Sequence, residues 1–242
     1  MKSLPAVLLV SLLAGLSTGA VHAEPVLSAY AGWSGASGSD LRYAAPGGTS
    51  LTVHDVSWNT DSFEPPPYYG VRATWWLRPA SGPGLALDFT HAKILLRTAE
   101  TARVTGMDAG APVDARRPVA SVIPHFENTH GLNFLTLSGL YRVELRHGGP
   151  RPTWQAYAGA GAGVAYPHVE ARIGQAVTFR HEWAGPVAQG LLGLETRTGR
   201  HLGFFIEYRL SRVWLDEDLA TGARIRTNLW LHQVAVGGGW HF

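Results

Sequence analysis

Apolar and polar side chains alternate along much of this chain with a period of two, the spacing of a strand whose two faces meet different surroundings. The clearest run is 227–242. Phe242, Trp240, Gly238, Val236, Val234 and Trp230 share one face, interrupted by His232. The opposite face carries His241, Gly239, Gly237, Ala235 and Gln233, which are small or polar. Aromatics near both ends of one face and a slim opposite face predict a strand with lipid outside and a narrow barrel interior behind it. The last strand of a soluble sandwich is the competing reading, and it gives no reason for aromatic belts at both ends.

The same alternation predicts seven further strands at 26–36, 68–78, 84–95, 131–144, 152–167, 186–197 and 201–214. In the second, Tyr69, Val71, Ala73, Trp75 and Leu77 form the apolar face, with Arg72 and Thr74 behind it. In the third, Leu85, Leu87 and Phe89 point out while Asp88 and Thr90 point in. The connections 37–67, 96–130, 168–185 and 215–226 are long. Those at 79–83, 145–151 and 198–200 are short and rich in Gly and Pro. A short strand at 51–58 is the one element expected inside the first long connection, which ends in Pro65-Pro66-Pro67 and reads as loop. An even strand number with alternating long and short connections predicts an all-β, eight-stranded antiparallel transmembrane barrel, with short periplasmic turns and long extracellular loops.

This face assignment sends Arg72, Asp88, Arg142, Glu195, Glu207 and Arg209 into the lumen. Three acids and three bases there have to pair, because a lone charge in a narrow interior is costly. A structural ion network is expected rather than a channel, since eight strands leave room for side chains only. Glu195 and Glu207 as an acid/base pair is the weaker alternative. Glycines at 159, 161 and 163 are expected to let the narrow lumen close over bulky neighbours.

Composition adds the compartment. Lys2, an apolar run over 4–16 and Val-His-Ala before Glu24 predict a signal peptide at 1–23 and a barrel at 24–242. The apolar run is too short to span a bilayer. With no Cys, an exported domain must be stable without disulfides. Hydrophobic content of 45% with 16% charge and 29 glycines suits a β-protein with one face in lipid. A net charge of +2 excludes nucleic acid as an electrostatic partner. The expected location is the bacterial outer membrane, as a monomer, and the terminal Phe with Trp two residues before it resembles the C-terminal signal of such barrels.

No nucleophile elbow, zinc-binding His-Glu-x-x-His helix or phosphate-cradling loop is present. Polar residues gather instead where strands meet long loops: Glu64, Tyr69, His91, Lys93, His125, Glu127, His130, Asn133, His168 and Glu170. Imidazoles and carboxylates at one rim can bind a divalent metal or exchange protons. His168-x-Glu170 puts two such groups on one face of an extended segment. Lys93 and the rim arginines are alternative contacts for lipopolysaccharide phosphates.

The stretches 63–76, 86–93, 131–142 and 157–170 together resemble the lipid A oxidase family of outer-membrane proteins. The resemblance implies oxygen-dependent conversion of the proximal glucosamine of lipid A to 2-aminogluconate, with dioxygen as co-substrate and lipid A as partner. Such an oxidation needs a cofactor, and without a flavin or haem signature a divalent transition metal is the expectation. Where the family-like segments meet the rim, Glu64, Tyr69, Lys93 and Asn133 are the expected catalytic residues, and His91, His168 and Glu170 the expected metal ligands. The 96–130 segment fits the family least, so His125, Glu127 and His130 stay outside this set. A passive anchoring or adhesive barrel of the outer-membrane protein A type is the second reading. A lipid A deacylase is the third, disfavoured by the lack of a Ser/His pair on the last strands.

Overall fold

The computed structural model describes residues 23–78, 80–145 and 153–242. The signal-peptide reading for 1–22 and most of the 145–151 turn lie outside the described residues. In chain order the strands are β1 (Glu24–Ala36), β2 (Ser39–Ala45), β3 (Thr49–Val56), β4 (Trp58–Asn59), β5 (Tyr69–Trp76) and β6 (Gly82–Ala92). There follow β7 (Leu95–Leu96), β8 (Thr101–Asp108), β9 (Ala111–Pro118), β10 (His125–Glu127), β11 (Leu132–Glu144) and β12 (Thr153–Ala165). The last five are β13 (His168–Ile173), β14 (Ala176–His181), β15 (Gly185–Thr198), β16 (Leu202–Asp218) and β17 (Arg224–His241).

Eight of them, in the order β1-β5-β6-β11-β12-β15-β16-β17, pair antiparallel, and β1 closes on β17 from Val26 opposite His241 to Ala36 opposite Leu231. The expected eight-stranded barrel is therefore present. Closure matters because hydrocarbon offers no partner to an unpaired backbone amide. The outer face is the predicted one. Leu27, Val71, Leu85, Leu137, Leu192, Ile206 and Val236 are exposed, while Arg72, Thr74, Asp88 and Thr90 are buried. Trp230 and Trp240 both lie exposed on β17, ten residues apart. At about 3.3 Å per residue and a tilt of about 40°, that is roughly 25 Å of height, the thickness of an outer-membrane apolar band.

All six predicted lumen charges are buried, in two separate groups. In the first, Arg72 donates from Nε to Asp88 Oδ2 at 2.5 Å and from both terminal nitrogens to the Glu207 carboxylate at 2.7 Å each. Arg209 donates to Glu207 Oε1 at 2.9 Å and to Asp88 Oδ2 at 3.1 Å. Tyr30 donates its hydroxyl to Asp88 Oδ1 at 2.6 Å. Two cations and two anions cancel. In the second group Arg142 bonds Glu24, Arg197 lies 2.7 Å from Glu24, and His241 sits between Glu24 at 2.8 Å and Glu195 at 2.7 Å. Glu195 and Glu207 thus belong to different groups, each with its own cations, which removes the acid/base pair.

Small residues make the room. A side chain on Gly70 would strike the Tyr30 ring at 2.1 Å, and one on Gly161 would meet Ser138 Oγ at 2.2 Å. In the Ala158–Gly163 run the glycines turn inward and the alanines outward.

The long connections are not the loops expected. Their residues form β2, β3, β8 and β9, which extend the barrel sheet from β17, and a separate sheet β14-β13-β10-β7-β4. The short strand expected at 51–58 is met by β3 and β4, with the break at Ser57. Polar composition hid these strands because only their inner positions are apolar: Leu41, Val53, Trp58, Leu96, Val104, Phe126 and Val169 are buried in one apolar core. Trp58 and Phe126 meet edge to face with ring centroids 6.0 Å apart. An apolar core thus lies among the extracellular strands, with the ion groups in the lumen below.

Within this extracellular layer Glu217 is fully buried near the end of β16, accepting a hydrogen bond from Asn128 at 2.9 Å through one oxygen only. Burial pushes its carboxyl from 4.5 up to about 8. The folded chain therefore holds a proton that the unfolded chain releases, and stability falls as pH rises from about 4.5 to about 8.

Two outcomes follow. Glu207→Ala leaves two buried guanidiniums with one carboxylate between them, and urea unfolding in detergent micelles should show a loss of about 3–5 kcal/mol. Glu217→Gln should flatten the fall in unfolding midpoint between pH 5 and pH 9; an unchanged slope would remove Glu217 as its source.

Candidate metal centre at the extracellular rim

β13 continues from β12 past Pro167, above the barrel, and period two puts His168 and Glu170 on the same face as expected. β10 lies antiparallel beside it, with Glu127 directly opposite Glu170 and His125 opposite Arg172. Two carboxylates facing each other across a strand pair are mutually repulsive. The His125 imidazole lies close to both, its Nε2 3.8 Å from Glu127 and 3.7 Å from Glu170. His130 approaches Glu170 from the other side at 3.7 Å.

Donor atoms of His125, Glu127 and Glu170 all lie within 4.8 Å of one another. Two ligands of one transition metal stand at most about 4.2 Å apart, given bonds of about 2.1 Å, so small rotamer changes bring the three into range. His125 Nε2 is buried and has no hydrogen-bond partner, as a nitrogen held for a metal would be. Glu127 is oriented by the Thr129 hydroxyl, which donates to it at 2.8 Å. Imidazole and carboxylate together suit iron, manganese or zinc. These residues fit a metal.

His168 lies beside this group without joining it. Its ring packs against Phe179 at 4.2 Å, His181 at 4.5 Å and His130 at 5.2 Å. Burial lowers its pKa, and the neighbouring His181 and His130 lower it further against the opposing pull of Glu170; the net shift favours the neutral imidazole. Phe179 is the cross-strand partner of Glu170, and Val177, Phe179 and Trp183 are exposed beside it. The group is bordered by greasy surface just above the lipid-facing barrel wall.

The other expected site residues lie in a second place. Tyr69, His91 and Asn133 occupy matching positions on β5, β6 and β11 at the barrel's upper rim, with Tyr69 exposed and His91 buried between its neighbours. Tyr69 stacks on His91 at 4.9 Å, and His91 Nδ1 and Asn133 Oδ1 are 3.0 Å apart. His91 therefore makes its contacts in this row, apart from the carboxylates of the three-residue group. Glu64 has an exposed side chain and is engaged through its main chain, its N–H donating to the Asp61 carbonyl at 3.1 Å and its carbonyl accepting from the buried Lys93 ammonium at 2.9 Å. Lys93 is thus a structural cation that ties down the β4–β5 connection.

Of the expected metal ligands, Glu170 lies in the three-residue group, His168 beside it and His91 in the other row; the remaining members of the group are His125 and Glu127. Their x-spaced pair, matching His168-x-Glu170, was the available signal; the antiparallel pairing that brings the two pairs together was not readable from spacing.

No protein-family profile matches the sequence, and no curated relative does. Among solved structures the chain is similar to Neisserial surface protein A (11% identity, 91% of this chain and 99% of that one, TM-score 0.39). It is also similar to the outer membrane protein OprG from Pseudomonas aeruginosa (12%, 91% and 95%, TM-score 0.42). A third is the outer membrane protease OmpT from Escherichia coli (8%, 94% and 99%, TM-score 0.41). Likenesses this distant assign no activity; the barrel rests on its own strand register and its apolar outer wall.

Proposed function

We propose that this chain is an outer-membrane enzyme that oxidises the proximal glucosamine of lipid A to 2-aminogluconate with dioxygen. The observation that carries the reading is the His125–Glu127–Glu170 group, placed at the extracellular rim beside exposed Phe179 and Trp183. A substrate anchored in the outer leaflet presents its sugars at this level. Tyr69 and Asn133, on the barrel wall at the same end, are suited to stack against and hydrogen-bond the sugar, with His91 buried between them as their support. His168, its neutral form favoured, can take a proton from the anomeric hydroxyl.

The balance is that of an aldose oxidation. The C1–H bond breaks, the anomeric C–O becomes the carbonyl of a lactone, and two electrons and two protons pass to dioxygen, which leaves as hydrogen peroxide. Water then opens the lactone, so the product gains one oxygen atom. A transition metal on His125, Glu127 and Glu170, with His130 in reach, would supply the redox-active centre at which dioxygen is reduced. Thr129 keeps Glu127 aimed at that centre.

The anchoring or adhesive reading draws on β9, which is exposed along most of its length and forms the edge of its sheet. For deacylation, Ser37 Oγ lies 3.4 Å from His232 Nε2, but the other ring nitrogen meets the Tyr208 hydroxyl instead of a carboxylate. That pair lacks the group that steadies a charged imidazole.

Lipid A from cells with and without the protein, compared by mass spectrometry, should differ by one oxygen. His125→Ala and Glu170→Ala should abolish the gain while the barrel still assembles. Calorimetric titration with Fe(II), Mn(II) and Zn(II) should lose its signal in the same variants, and Thr129→Val should weaken it by about ten-fold. Unmodified lipid A together with unaltered titrations would leave the adhesive barrel as the better account.

A further inference from the structure

On the opposite side of the β12–β15 pair from β11, the outer wall carries an unexplained cation. Arg212 lies on the lipid-facing side of β16, directly opposite Trp230 on β17 and two residues before Trp214 on its own face. Its guanidinium sits 4.9 Å from the Trp230 ring and 5.8 Å from the Trp214 ring. Among the described residues no carboxylate lies within ion-pair distance of it. Trp230 belongs to the upper aromatic girdle, so Arg212 stands where the phosphates of the outer leaflet lie. An unpaired cation facing hydrocarbon is costly, and two indole faces offset only part of that cost.

Two hollows meet at this residue. Above it, a rim cleft of about 620 Å³ is lined by Arg42 and Arg226 as well as Arg212, with Asp40 and Asp216 as its acids. Asp216 is already engaged by Arg224 and Arg226. Arg42 and Arg226 are cross-strand partners; Asp216 neutralises Arg226 from the β16 side, while among the described residues Arg42 has no carboxylate within ion-pair distance. Below it, an apolar groove of about 710 Å³ runs down the barrel wall between Ala188, Gly190, Leu192, Tyr208 and Leu210. Arg212 and Trp214 line both hollows, which makes them one continuous surface: basic at the top, greasy beneath.

We propose that this surface is a binding site for a phosphorylated lipid A, with phosphate groups on Arg212 and Arg42 and an acyl chain in the groove. Charge complementarity selects an anionic head, and the outward rim of an outer-membrane barrel meets lipopolysaccharide. Two arginines without carboxylate partners at one cleft favour a head with more than one phosphate over a phospholipid. The flat guanidinium between two indoles keeps its edge free for bidentate contact with phosphate oxygens. The site does not depend on the oxidase reading, because binding here needs neither metal nor dioxygen.

Native mass spectrometry of the full barrel in detergent micelles tests it, with diphosphoryl lipid A, monophosphoryl lipid A and phosphatidylglycerol as probes. The expected order of retention is diphosphoryl, then monophosphoryl, then phosphatidylglycerol. Arg212→Ala should weaken the diphosphoryl complex by about ten-fold or more, and Arg212→Lys by less. Heat-modifiable gel mobility verifies that each variant is folded; Arg42→Gln and Trp230→Ala, which should also weaken binding, replace Arg212→Ala if it does not assemble. Equal retention by wild type and folded variants overturns the proposal. So does phosphatidylglycerol binding as tightly as lipid A, which would make the surface an ordinary lipid annulus. Because no turnover is read, this failure is distinct from absence of the added oxygen in cellular lipid A.

Discussion

The quartet of Arg72, Arg209, Asp88 and Glu207 decides what kind of barrel this is. Four charged side chains, all but excluded from solvent, fill the lumen and satisfy one another. A network of this kind is tolerable only if every member is paired, since removal of one leaves a buried charge with no water to turn to. With this part of the lumen filled by paired side chains, the proposed functional surfaces are the outer wall and the extracellular sheets.

Those sheets follow from the same logic. Strands that rise past the bilayer need partners for their backbone groups and cover for their inner faces. β16 and β17 continue upward as a pair, β2, β3, β8 and β9 extend the sheet, and the five-stranded sheet covers its own inner face against the shared apolar core. Stiff sheets fix side chains better than loops do. The group on β10 and β13 is held by backbone register, and His168 and Phe179 are fixed by cross-strand packing. The proposed reaction would gain from such fixed geometry, because small misplacements are costly in rate.

Two features on the outer wall remain polar where lipid would favour apolar side chains: Tyr69 and Asn133 on either side of the buried His91, and Arg212 between its tryptophans. They lie at the level where headgroups replace hydrocarbon. Each proposed role uses that level, one for the sugar and one for the phosphate.

Period-two alternation by itself determined the eight barrel strands, their lipid faces and all six lumen charges, because in a strand orientation depends only on parity along the chain. The partition of those charges did not follow from parity. Glu24 and His241 join Arg142 and Glu195 only because β1 closes on β17. The extracellular strands were missed because their outer faces are as polar as loops, and half of each apolar pattern is too short to stand out. The site divides in the same way. His168-x-Glu170 was legible as a same-face pair, and His125 was visible as a residue type near the rim. That Glu127 stands opposite Glu170, with His125 between them, is a matter of antiparallel register between segments some 40 residues apart in sequence. Only the folded chain sets that register, since it comes from long-range pairing that no local pattern encodes.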